Sequence, residues 1–199
     1  ARRRWTEFRQ SIAERGAAQA KQGLHAVQIA AALREVLTDE TVLLIDAGST
    51  GQWAHHLLCA DYPRRRLNCG PSGVVGWGLG GAMGARMACP GQPVILLTGD
   101  GSFTFTVAEI ECAVRQRLPF VVVVADDQSW GITMAGHIKR FGEPISSTLG
   151  PIDFVKLAES LGARGVLAKT QEEVRGAVEE AVALATVTVV HVPIVGGNP

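Results

Sequence analysis

The chain has 199 residues, 47% of them hydrophobic, and its 19 basic and 19 acidic side chains cancel to a net charge of zero. That length and apolar content suit one domain with a sizeable core, and the balanced charge excludes a general binder of nucleic acid or of an anionic membrane. The longest apolar run, Pro119 to Ala125, is far short of the roughly 18 residues of a membrane span, and no apolar stretch follows the basic N-terminus as a secretory signal requires, so a soluble cytoplasmic protein is expected.

In chain order, Arg2, Arg3, Arg4, Arg9, Arg15 and Lys21 surround Trp5, Phe8 and Ile12, a W-x-x-F-x-x-x-I spacing that puts one apolar stripe on a helix. Residues 1–22 therefore read as a linker arm, residues 23–195 as the domain and residues 196–199 as a tail. Helical spacing from Val27 to Leu37 leads into a buried strand, Thr41 to Ile45, that ends at Asp46 and Gly48. A helix around Trp53 to Leu58 and a short strand at Leu67 follow. Beyond a glycine-rich stretch come a helix at Leu79 to Ala88, a strand at Val94 to Thr98, a helix at Val107 to Arg117 and a strand at Phe120 to Ala125. Asp126 to Gly150 reads as a polar loop, and Pro151 as the first residue of a helix reaching Leu161. A strand at Gly165 to Ala168, a helix at Gln171 to Leu184 and a strand at Val187 to Val192 complete the chain. Helices alternating with continuous apolar strands such as Val121 to Val124 imply an α/β fold, a parallel sheet of about six strands with helices on both faces.

Cys59, Cys69, Cys89 and Cys112 show no C-x-x-C spacing, so neither a zinc site nor a redox pair is expected. Only 19% of residues are charged and 23 are glycine. A charge-poor surface points to burial against another domain or subunit, hence a homo-oligomer, and the glycines to close backbone approaches.

In open parallel sheets ligands bind beyond the carboxyl ends of the strands, so the loops after Ile45, Thr98 and Ala125 are the places for chemistry. Gly99-Asp100-Gly101-Ser102 sets a carboxylate at a strand tip beside a tight turn and a helix start, which suits a hard cation bridging to an anion. Twenty-seven residues on, Asp127 stands at the next strand tip, and adjacent tips would bring the two carboxylates together.

Together, G-D-G-S-F, Glu109, Leu118-Pro119 before the apolar strand, the polar pair and Gly131 resemble the cofactor signature of thiamine-diphosphate enzymes of the acetolactate synthase, pyruvate oxidase and benzaldehyde lyase type. The resemblance covers nearly the whole chain and corresponds to their C-terminal, diphosphate-binding domain. It implies that Asp100, the side chain of Asp127 and the main-chain carbonyl of Ser129 hold Mg²⁺. Gly48, Ser49 and Thr50 match the diphosphate-contacting turn, Gly99, Gly101 and Ser102 add to it with backbone donors at Gly101 and Ser102, and Gly73 and Val75 match the segment under the aminopyrimidine. There the bend that Val75 imposes would bring the cofactor's own amino group to the carbon that attacks a carbonyl substrate.

Three positions depart from the family pattern. Its paired asparagines are Asp126 and Asp127 here, with the Asp126 side chain expected to point away from the ion, and its usual methionine or leucine is Val75. The family's catalytic glutamate lies in a pyrimidine-binding domain, of the same or a partner chain, that these residues do not match, so the chain alone is expected to be inactive. Gly136 and Thr133 replace residues typical of acetolactate synthases and pyruvate decarboxylases, whereas Gln128 to Gly131 looks more like benzaldehyde lyase. His137, on the loop nearest the chemistry, is a possible substrate contact; His55, His56 and His191 read as ordinary polar or core residues. Two rival readings remain: a non-catalytic regulatory remnant, and a nicotinamide-dependent dehydrogenase using Gly76-x-Gly78-x-x-Gly81.

Overall fold

The computed structural model describes residues 2–19, 23–46, 48–58 and 61–196. Ala1, Lys21, Cys59 and residues 197–199 of the tail lie outside them. Six parallel strands form one sheet: β1 (Val42–Asp46), β2 (Arg65–Leu67), β3 (Val94–Gly99), β4 (Val121–Asp126), β5 (Arg164–Leu167) and β6 (Thr188–Pro193), in the order β2-β1-β3-β4-β6-β5.

Alternation along each strand feeds two cores. Leu43, Ile45, Val121, Val123 and Ala125 face one side, where α2 (Ala26–Val36), α3 (Ser49–Leu58) and α9 (Gln171–Leu184) pack; Val42, Leu44, Val122 and Val124 face the other, covered by α4 (Gly78–Ala88), α6 (Glu109–Arg115) and α8 (Phe154–Ser160). Burial on both faces is why these strands read as unbroken apolar runs rather than alternating ones. The arm is a helix, α1 (Arg2–Gln19), seated on α3: Ile12 is buried in the first core, and Arg9 donates to the Leu57 carbonyl at 2.9 Å.

Three local expectations differ. The segment after Gly99 splits into α5 (Asp100–Phe105) and α6 instead of one helix from Val107 to Arg117. The expected loop over 126–150 contains α7 (Gly131–Phe141), an eleven-residue helix with no fully buried residue, closed by Gly142 at φ 84°. Its apolar residues do not reach the core: Ile132, Ile138 and Phe141 are exposed, so the helix stands out from the sheet on the surface of the described chain. The helix placed at Pro151 begins at Phe154 instead, because Asp153 accepts the Lys156 N–H at 3.1 Å and so caps it.

β1 leads outward to β2 on one side, and β3 to β4 on the other. The sheet therefore reverses direction between β1 and β3, and a crevice opens above their carboxyl ends.

Candidate functional site

A cavity of about 170 Å³ occupies that crevice, walled by three strand tips. The β1–α3 turn contributes Gly48, Ser49 and Thr50; the β3–α5 turn Gly99, Asp100, Gly101 and Ser102; the β4–α7 turn Asp127 and Ser129. Val75 lines it from the loop before α4 and also borders an adjoining cavity of about 460 Å³, where Gly73 lies with His55 and Cys69. Neither cavity has a lysine or arginine in its wall among the described residues. His137 does not line the strand-tip cavity; it sits half-buried on α7 beside Phe141, with a buried Nδ1 that has no partner.

Asp100 is 5% exposed, and its Oδ1 accepts the N–H of Gly101 at 2.8 Å. Gly101 thus turns its donor to the neighbouring carboxylate rather than leaving it free for a diphosphate as the resemblance implies. Burial, opposed by that N–H and reinforced by the charges of Asp127 and Asp126, pushes the Asp100 carboxyl up to about 7. Asp127 is also raised, again chiefly by burial; its Oδ1 accepts both the N–H (3.1 Å) and the hydroxyl (2.9 Å) of Ser129.

Asp126 does not point away. It shares a hydrogen bond with Asp100 and accepts from the Nε2–H of His191 through Oδ2 at 2.8 Å and from the Gln128 N–H at 3.1 Å. Burial works to raise its pKa, but the His191 and Gln128 donors outweigh it and hold Asp126 below the ordinary carboxylate range. His191 is therefore more than a core histidine: it projects from β6 between Asp126 and Phe154, whose ring it meets in a T-shaped contact with centroids 5.1 Å apart. An ionisable residue amid valines at 189, 190 and 192 was the sequence signal for it.

The β4–α7 turn is rigidly held. Gln128 adopts φ 54°, its carbonyl accepts from Leu149 N–H at 2.7 Å, and Trp130 N–H donates to the Ser147 carbonyl at 2.9 Å. Trp130 lies flat over Gly101, where an added Cβ would come within 2.7 Å of the ring, and meets Phe105 edge-on at 5.6 Å. Gly196, assigned to the tail, packs against this turn, with a hypothetical Cβ 3.0 Å from Asp127 Oδ2.

All available side-chain donors at the tips of β3 and β4 are oxygens, and their concentrated negative charge is what a hard divalent cation would neutralise. Among the described residues no three His, Cys, Asp or Glu side chains form a complete metal cage, so two carboxylates and a carbonyl fit an ion only if a ligand such as a phosphate supplies the remaining oxygens. The dinucleotide reading fares worse. Gly76 follows a 3-10 turn (Gly70–Ser72) and a loop instead of a strand, and the Gly78 N–H is already taken by Asp46.

Residues 46–192 match the family described as thiamine pyrophosphate enzyme, C-terminal TPP binding domain. 2-Hydroxyacyl-CoA lyase 2 of Homo sapiens is 32% identical over 164 residues, 82% of this chain and 26% of the human protein. A probable acetolactate synthase of Mycobacterium bovis is 32% identical over 170 residues, 85% of this chain and 31% of its own length. The solved structure of the thiamine diphosphate-dependent 4-hydroxybenzoylformate decarboxylase of Rhodococcus jostii RHA1 superposes with a TM-score of 0.81 at 28% identity, covering 89% of this chain and 34% of that one. The chain thus spans between about a quarter and a third of the length of these proteins.

Proposed function

Because the chain belongs to the family of thiamine pyrophosphate enzymes, as a C-terminal TPP-binding domain, we propose that it is the diphosphate- and Mg²⁺-binding part of a longer lyase, carboligase or decarboxylase acting on a 2-oxo acid or 2-hydroxy ketone. The convergence of three strand tips on one oxygen-lined cavity carries this reading. Asp100, Asp127 and the Ser129 carbonyl would hold Mg²⁺, while Gly48 to Thr50 and Ser102 would face the diphosphate. Bound there, thiamine diphosphate supplies a nucleophilic carbon and an electron sink for making or breaking the bond beside a carbonyl.

The chain's own residues bind and orient. Val75 supports the ring segment of the cofactor, Trp130 closes the cavity over Gly101, and the Asp126–His191 pair fixes the tip of β4. Val74, Phe105 and Ile132 are exposed near the mouth (53%, 63% and 46%), which suits coverage by a pyrimidine-binding domain of the same or a partner chain in a homo-oligomer. No helix among the described residues is long and apolar enough to cross a membrane, and the free thiols Cys69, Cys89 and Cys112 suit a reducing cytoplasm. The remnant reading rested on the acidic pair; the bond from His191 to Asp126 weakens it by supplying a partner for the extra carboxylate.

Steady-state assay tests the proposal. The full-length protein is expected to turn over pyruvate or benzoin only with thiamine diphosphate and Mg²⁺, and the 199-residue chain to show no turnover. Turnover by the chain alone, or none by the full-length protein that nevertheless binds cofactor, would contradict it.

A further inference from the structure

The loop that carries Val75 makes no use of the core. Every residue from Gly70 to Val75 is exposed, and a Cβ added at Gly70 or Gly73 would meet nothing within 4 Å. Burial resumes abruptly at Gly76, so the loop takes its direction from the three residues that follow it.

Those residues are clamped from the sheet. Asp46, at the carboxyl end of β1 and 6% exposed, accepts the N–H of Gly78 through Oδ2 at 2.8 Å, across 32 positions of sequence. The contact is close enough that a Cβ on Gly78 would lie 2.8 Å from the Asp46 Cβ. Trp77, at the N-cap of α4, makes no side-chain capping bond, and Asp46 supplies from a distance an acceptor for the first of the N–H groups that the helix start leaves without an intrahelical partner. The main-chain carbonyl of Asp46 accepts from the Thr98 hydroxyl at 2.8 Å, tying the β1 tip to β3. On the other side, Gly76 turns at φ 81°, and its carbonyl accepts from the Thr106 hydroxyl at 2.9 Å.

We propose that Asp46 is a positioning residue: its buried carboxylate anchors the Gly76–Gly78 turn and so sets where Val75 stands in the cofactor cavity. The inference rests on the reading that Val75 supports the ring segment of bound thiamine diphosphate. The hydrogen bonds of the Asp46 carboxylate go to the Gly76–Gly78 turn and not to Asp100, Asp127 or Ser129, so it acts on the geometry of the bound cofactor more than on its retention.

Amide hydrogen exchange and kinetics of the full-length protein test this, using Asp46→Ala and the isosteric Asp46→Asn, whose side-chain oxygen still accepts from Gly78. Asp46→Ala is expected to speed exchange at the Gly78 amide by at least about tenfold, the loss of one charge-assisted hydrogen bond, and to lower kcat by about tenfold or more while the Kd for thiamine diphosphate with Mg²⁺ changes less than about threefold. Asp46→Asn is expected to recover slow exchange and most of kcat, and as the isosteric change it decides the question if the alanine variant does not fold. Unchanged kcat in Asp46→Ala, a parallel loss of kcat and cofactor affinity, or Asp46→Asn as impaired as Asp46→Ala would overturn the proposal. A wild-type protein that fails to bind thiamine diphosphate would instead overturn the functional reading on which it rests.

Discussion

Replacing Asp100 by asparagine should stabilise the metal-free protein above neutral pH while removing its capacity for the cofactor metal. In the folded chain the Asp100 carboxyl is pushed from 3.8 to about 7, first by burial and then by Asp127 and Asp126. The unfolded chain releases this proton near 3.8, so between that pH and about 7 the folded state binds more protons than the unfolded one. Stability of the metal-free chain must therefore fall as pH rises through that window. At about 1.4 kcal/mol per pH unit the ceiling is about 4 kcal/mol, and because three neighbouring carboxylates share the interaction we expect about 2 kcal/mol to be realised. Asparagine is neutral throughout and keeps an oxygen for the Gly101 N–H. Urea unfolding in chelator should show wild type and Asp100→Asn with similar stability near pH 4, and an advantage of the variant that grows with pH and is largest at pH 8. A variant less stable at pH 8, or a difference independent of pH, would refute the reasoning.

His191→Leu should destabilise the protein by about 3 kcal/mol at pH 7, since Asp126 would be left buried without its partner, and the loss should shrink toward pH 4 as Asp126 takes up a proton; urea unfolding at the two pH values checks both. Asp127→Asn should keep or tighten thiamine diphosphate binding in the presence of Mg²⁺ while weakening binding of Mg²⁺ alone, because the second carboxylate attracts the ion but repels the phosphate oxygens around it; a large loss of cofactor affinity in calorimetry would reverse that sign. Gly101→Ala should drive Trp130 off the turn, since its Cβ would meet the ring at 2.7 Å, and an unchanged tryptophan emission spectrum would show that the ring had not moved.

Much of the fold was legible because burial on both sheet faces leaves a simple imprint. Val121 to Val124 could be placed in a strand buried on both faces without any tertiary information, and Gln171 to Leu184 coincides with α9. Most of what escaped depended on contacts distant in sequence. The turn before α7 is held from Ser147 and Leu149, well along the chain, whereas the start of α8 was missed for a local reason, the Asp153 cap over the nearby Pro151. In the candidate site, the glycine–aspartate turn announced itself, because its residue types are dictated locally. The partners of the buried acids did not: Asp126 reaches His191 over 65 positions and Asp46 reaches Gly78 over 32, and only the parallel register of the sheet brings such pairs together.

The most direct test of the central claim is calorimetric titration of thiamine diphosphate into the full-length protein, with and without Mg²⁺, for wild type and Asp100→Ala. The expected result is binding by wild type that requires Mg²⁺ and is lost in the variant. Binding of equal strength without Mg²⁺, or undiminished in Asp100→Ala, would contradict the assignment of the β3 and β4 tips as the metal-bridged diphosphate site.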